Sequence, residues 1–176
     1  MVGHCLGGRP LLATGETVIV SSRHATRDDL QSLAGLYRAL EQEMVALHTM
    51  WPQADGLDEP IDSSLESAIS DDDVIVLMGS IDEYPFGFLI ATVDPMLEQA
   101  QGEQIGAIRF IYVDQEAREV AIAEAMRDQV LAELRERGIS KFDAHVLPGH
   151  RLAKNFFESG GFSARSIIMH HDDNRE

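Results

Sequence analysis

Arg118 stands five residues beyond Val113, the last residue of an apolar, β-branched run, and the chain continues Glu119-Val120-Ala121-Ile122-Ala123 into a long amphipathic stretch. A strand that feeds a helix through so short a turn aims unpaired backbone N–H groups, and the positive end of the helix dipole, at whatever lies in front of it. With a guanidinium alongside, that arrangement can seat a phosphate. The plainer reading of the same residues is an ordinary strand-to-helix turn.

Other residue types could handle protons or cations. His150, at the start of a short helix, carries an imidazole with an ordinary pKa of about 6.5, and the helix dipole there favours its neutral form. It could be an acid–base group, a cap or a surface residue. His145, in the preceding apolar run, is either a sheet residue or a proton carrier, and Glu103, just ahead of the run that ends at Val113, is the nearest candidate carboxylate base or a solvated loop residue. Trp51, with Asp55, Asp58 and Glu59 in the same segment, could hold a cationic amine by cation–π and charge contacts, or could simply anchor an acidic loop. The terminal His170-His171-Asp172-Asp173 has metal-ligand residue types, but neighbours on a strand point to opposite faces, and no metal site is expected.

These groups need a scaffold, and 176 residues suffice for one self-sufficient core. A formal net charge of −16 disfavours nucleic acid and anionic lipid as partners and would draw in a cationic small molecule or basic peptide. The single cysteine, Cys5, has no partner for an internal disulfide, and no segment reaches the ~18 apolar residues of a membrane span. The expectation is a cytoplasmic chain with a flexible arm over residues 1–16, one domain over 17–170 and a tail over 171–176.

Hydrophobic periodicity supplies the elements. A strand over 17–22 precedes a helix start at Thr26 with Asp29 three residues on, and Leu30, Leu33, Tyr37, Leu40, Met44 and Leu47 then mark one helical face. Residues 49–60 read as a loop, and Ser63-Ser-Leu-Glu66 as a capping box opening a short helix. Strands over 74–78 and 86–93 form a hairpin with a longer connection, and the organising strand runs over 105–113. Beyond the turn, Ile122, Met126, Val130, Leu131 and Leu134 line a helix that closes at Arg137 and Gly138. A strand over 141–147, a helix over 151–159 and a last strand over 162–170 complete the chain.

This order, and two motifs, resemble the GNAT superfamily of acetyl-CoA-dependent N-acetyltransferases. Arg118 to Ala123 is similar to its coenzyme signature, and Ala153-Lys-Asn-Phe-Phe-Glu-Ser-Gly-Gly-Phe162 to its closing signature. The resemblance implies an α/β (α+β) GNAT fold: a mixed, mostly antiparallel central sheet with a V-shaped splay and helices on both faces. It implies acetyl-CoA as co-substrate and direct transfer to a small-molecule or peptide amine. The diphosphate would rest on Arg118, Glu119, Val120, Ala121, Ile122 and Ala123, and pantetheine on backbone of Ile111, Tyr112 and Val113. Trp51 and Asp55 would lie in the segment that covers the acceptor.

The chain departs from the family pattern. Ala121 replaces a glycine, so a methyl group narrows the approach to the diphosphate. Glu119 adds a carboxylate, which within about 4 Å of a phosphate costs roughly 1 to 4 kcal/mol. Phe157 replaces the tyrosine that commonly protonates the leaving thiolate, leaving Tyr112 and His150 as candidate catalytic residues. A degenerate member that keeps the fold as a binding or dimerising module is the alternative, and a homodimer stays open.

Overall fold

The structure is a computed structural model that describes residues 18–118 and 120–173. Among these residues five strands form one sheet in the order β1-β2-β3-β4-β5: Val20–His24, Val74–Ile81, Tyr84–Pro95, Gln104–Val113 and Phe142–Ala144. The first four are antiparallel and β5 joins β4 in parallel. Among the described residues five α-helices surround it: α1 Leu30–Leu47, α2 Trp51–Ala54, α3 Ile61–Ser70, α4 Ile122–Glu136 and α5 Arg151–Ser159. The expected arm over residues 1–16 lies outside the described residues.

Period-two alternation gives each face of the sheet its own core. Ile75, Leu77, Leu89, Ala91 and Ile108 face Ile122, Met126, Val130 and Leu134 of α4 and Phe157 of α5. Val76, Met78, Phe88, Ile90 and Tyr112 face Leu33, Tyr37, Leu40 and Met44 of α1, with Trp51 and Leu65. The glycines of the sheet allow α4 to lie close. A Cβ added at Gly79 would sit 2.4 Å from Ile122 Cγ2, and one at Gly87 would sit 2.7 Å from the Tyr112 carbonyl oxygen.

The expected start of α1 is present in detail. The Asp29 carboxylate accepts from the Thr26 backbone N–H at 2.8 Å and its hydroxyl at 3.0 Å, and from both Arg23 amino groups at 2.7 Å. Elsewhere the structure corrects the expectations. The helix expected from Ser63 begins at Ile61, because Ile61 and Leu65 together fill the core, and the Ser64 hydroxyl donates to the Asp58 carbonyl instead. The connection between β2 and β3 is only two residues: Asp82 and Glu83 adopt φ of 46° and 72°, the left-handed geometry of a tight hairpin. Residues 49–60 contain the short helix α2, with Pro52 in its first turn.

Two further differences matter for function. The strand expected over 141–147 is a ladder only over Phe142–Ala144, and residues 162–170 form no strand.

Candidate functional site

The sheet opens between β4 and β5. Their pairing runs from Gly106 with Phe142 to Ile108 with Ala144, and the last bond across it is from the His145 N–H to the Ile108 carbonyl at 2.9 Å. The next residue of β4, Arg109, is extra: on β3, Ile90 pairs with Phe110 and Ala91 with Ile108. Such a bulge bends its strand and sharpens the local twist. Past it β4 stays with β3 and β5 leaves, which makes the V-shaped splay.

Beyond the fork lies a groove of about 200 Å³, lined by Ile111, Tyr112, Val113, Arg118, Val120, Ala123, His150, Ala153 and Phe156 among others. The Asp114 N–H bonds to Phe86 of β3. By strand alternation Ile111 and Val113 therefore direct their backbone groups to the open edge. At the groove's far end α4 begins with Ala121 as N-cap, which makes no side-chain cap bond, and the Ile122 N–H of the first turn donates to the Val120 carbonyl at 2.6 Å. Val120 and Ala123 border the groove, and Ala121 is exposed. Glu119 lies outside the described residues.

Arg118 is in the groove but already engaged. Its Nε donates to the Val113 carbonyl at 2.9 Å, its Nη2 to Glu43 Oε1 of α1 at 2.5 Å, and its guanidinium lies 5.5 Å from the Tyr112 ring centroid. Gln115 also donates to Glu43 Oε1 at 3.2 Å. Glu43 is thus a groove residue that sequence reading missed.

The candidate proton carriers fall in two places. His150 is the N-cap of α5 and borders the groove; burial pushes its imidazole below the ordinary value, Glu43 pulls it back and Arg118 reinforces the drop. Tyr112 is buried, and burial, with Glu43 and Asp114, pushes its hydroxyl up, so it keeps its proton at neutral pH. Phe157 is buried between Phe156 and Phe162, with ring centroids at 5.0 and 5.3 Å, and offers no proton.

The second place is the fork, on the face covered by α1 to α3. Arg109 donates to Thr92 Oγ1 at 3.0 Å and to Asp94 Oδ2 at 2.6 Å, and its Nη1 lies 3.1 Å from His145 Nε2. A guanidinium only donates, so His145 Nε2 accepts and the ring is neutral. Desolvation and Arg109 lower the His145 pKa, while Asp143, Asp55 and Asp94 oppose them. Asp55 is exposed, and its charge reaches the fork. Trp51 is not a wall open to ligand. It is buried, with ring centroids 6.0 Å from Phe110 and 6.3 Å from Tyr37, because α2 turns it into the aromatic core. Glu103 is paired with Lys141 at 2.5 Å at the other end of β4.

The sequence model of the acetyltransferase (GNAT) family matches residues 35–162, and the chain belongs to that family. Solved structures of the same fold include a ribosomal-protein-alanine N-acetyltransferase from Brucella melitensis biovar Abortus 2308, with TM-score 0.62 and 22% identity over 89% of this chain and 100% of that one. A tetramutant of the BH1408 protein from Bacillus halodurans superposes with TM-score 0.73 at 18% identity, over 86% and 98% of the two chains. The aminoglycoside 6'-N-acetyltransferase AAC(6')-Ih from Acinetobacter baumannii gives TM-score 0.67 at 15% identity, over 89% and 99%. No curated protein sequence matches significantly. No helix among the described residues is long and apolar enough to cross a membrane.

Proposed function

We propose that this chain is an N-acetyltransferase that uses acetyl-CoA and passes the acetyl group directly to a small cationic amine or a peptide amine. The observation that carries the reading is the fork at Arg109, which frees the Ile111–Val113 edge beside the uncapped start of α4 and Arg118. Open edge, amides and guanidinium suit, in turn, the amides of pantetheine and a diphosphate. Bound there, acetyl-CoA would supply an activated thioester. Arg118 and the Ala121 and Ala123 amides would hold its charged end, the Val120 and Ile122 N–H groups being spent on the Ala117 and Val120 carbonyls.

This chain's own groups cover the remaining needs of acyl transfer to an amine. The neutral imidazole of His150, or that of His145 at the fork, can accept the proton of an ammonium. Tyr112 Oη holds a proton that can be given to a thiolate. The net charge of −16, with Asp55 and Asp94 around the fork, favours a cationic acceptor. Members of the fold named above act on ribosomal-protein alanine and on aminoglycosides, which are both amines.

Titration of acetyl-CoA by calorimetry and thermal shift tests the reading. Stabilisation of about 2.7 kcal/mol is expected at a hundredfold excess over Kd. No shift at millimolar ligand rejects it. The second reading, a binding module without turnover, is favoured by Glu43 occupying Arg118 and by Phe157 buried without a hydroxyl. It predicts binding of acetyl-CoA with no free thiol released in the presence of amines.

A further inference from the structure

Four described residues of the groove carry charge or a titratable proton, and each comes from a different element: Glu43 from α1, Tyr112 from β4, Arg118 from the turn before α4, and His150 from the start of α5. Arg118 is spent on Glu43, whose side chain is only 24% exposed. Both hydrogen bonds that Glu43 accepts, from Arg118 Nη2 at 2.5 Å and from Gln115 Nε2 at 3.2 Å, fall on Oε1, so among the described residues Oε2 is left for another donor. His150 is the complementary case. Its backbone is fixed, the N–H donating to the Leu147 carbonyl at 3.0 Å and the carbonyl accepting from the Lys154 N–H at 3.1 Å. Its half-buried imidazole makes no cap bond to α5 and no hydrogen bond among the described residues. A ring without a partner and a carboxylate oxygen to spare therefore share one small groove, with the carboxylate's charge balanced by Arg118.

A bound diphosphate changes this balance. It would compete for the Arg118 guanidinium and neutralise it, and a shielded carboxylate left without its cation is costly. Tyr112 cannot take the cation's place, because its buried hydroxyl keeps its proton and has no charge to offer. Gln115 is neutral, and Arg151, which follows His150 on α5, is exposed and does not line the groove. The group of the groove that can still become a cation is His150. In the free chain burial and Arg118 hold its imidazole neutral while Glu43 pulls the other way. Neutralising Arg118 removes one of the two opposing influences, so His150 becomes more basic.

We propose that Glu43 is a positioning residue for His150 that acts in the coenzyme complex: released from Arg118 by the diphosphate, its carboxylate takes up the imidazole and makes His150 the base for the acceptor's ammonium. This rests on the acetyl-CoA reading above and adds to it a residue and an order of events. The proton passes from the ammonium nitrogen to the unprotonated ring nitrogen, while the opposite ring N–H donates to Glu43, and the amine keeps its lone pair for the thioester carbonyl. A base is most effective when its affinity for protons matches the working pH. The empty chain thus holds a weak base, and the loaded chain a matched one, at the moment a thioester is present to be attacked.

Calorimetric titration of the full chain with acetyl-CoA at pH 6.5, in buffers of different ionisation enthalpy, tests this, because the dependence of the heat on the buffer counts the protons taken up. The parent is expected to take up roughly 0.3 proton per chain more than His150→Gln. Glu43→Gln should bind at least as tightly as the parent and lose most of that uptake, and Glu43→Asp, which keeps the charge, should restore part of it. The coenzyme's own phosphate groups ionise alike in every variant and cancel in the differences. Equal uptake by the parent and His150→Gln, or by the parent and Glu43→Gln, overturns the inference while leaving coenzyme binding intact. Absence of any thermal shift at millimolar acetyl-CoA overturns the coenzyme reading itself, and this inference with it.

Discussion

Arg118 has two anionic claimants, Glu43 in the free chain and a diphosphate in the proposed complex. A carboxylate and a phosphate compete for the same fork of donors, so coenzyme affinity should be set by the difference. Glu43→Gln is expected to tighten acetyl-CoA by roughly 1 kcal/mol, about fivefold, and Arg118→Ala to weaken it at least as much, both read by calorimetry. The place of Arg118 beside Val113 was legible in the sequence because it follows from a local turn. Glu43 was not, since the pair joins residues 75 apart and only the packing of α1 on the sheet brings them together. Trp51 fails in the other direction: its type suggested a ligand wall, and its aromatic neighbours claimed it for the core. At the start of α1, Arg23 and Thr26 hold the Asp29 carboxyl at about 2, well below its usual value. A depressed carboxyl stabilises the fold above its unfolded pKa and loses that contribution as pH falls through the folded value. Asp29→Asn should therefore cost about 1 to 2 kcal/mol in urea melts at pH 7, and the gap to the parent should close between about pH 4 and pH 2.

Among the elements, α1, α4 and α5 were readable from the spacing of their apolar residues, as were β2, β3 and β4 from their β-branched runs. What periodicity cannot supply is a partner. Residues 162–170 have the composition of a strand, but no ladder joins them to the sheet, and Arg165 reaches β5 only through its side chain. The β2–β3 connection was overestimated because Asp82-Glu83 lacks the glycine or asparagine that usually signals a two-residue turn. The seating of α4 was equally hidden, since glycines read as weak strand formers until the helix above them is known. Gly87→Ala would press a methyl against the Tyr112 carbonyl of β4, so a loss of about 1 to 3 kcal/mol is expected in chemical denaturation.

For the molecule as a whole, charge sets the response to its surroundings. At −16, self-repulsion opposes the compact state, so the melting temperature should rise between 20 mM and 300 mM sodium chloride as screening increases. Acid acts through different groups. His145 and His150 both bind protons less readily in the folded chain than their ordinary value allows. Their contribution is complete above about pH 6.5 and is lost as pH falls through the lower folded values. A melting temperature that, between pH 7.5 and pH 5, changes less favourably in the parent than in the His145→Gln, His150→Gln double variant is the expected outcome.

Arg109 is one residue more than the β3–β4 ladder needs. Ile108 and Phe110 already point to opposite cores, towards α4 and towards α1, as neighbours in an unbroken strand would if the residue between them were absent. Excising that single codon should leave both hydrophobic layers in register while straightening the strand, and so separate architecture from chemistry. The shortened protein would fold, and the cleft proposed to receive acetyl-CoA would be shut.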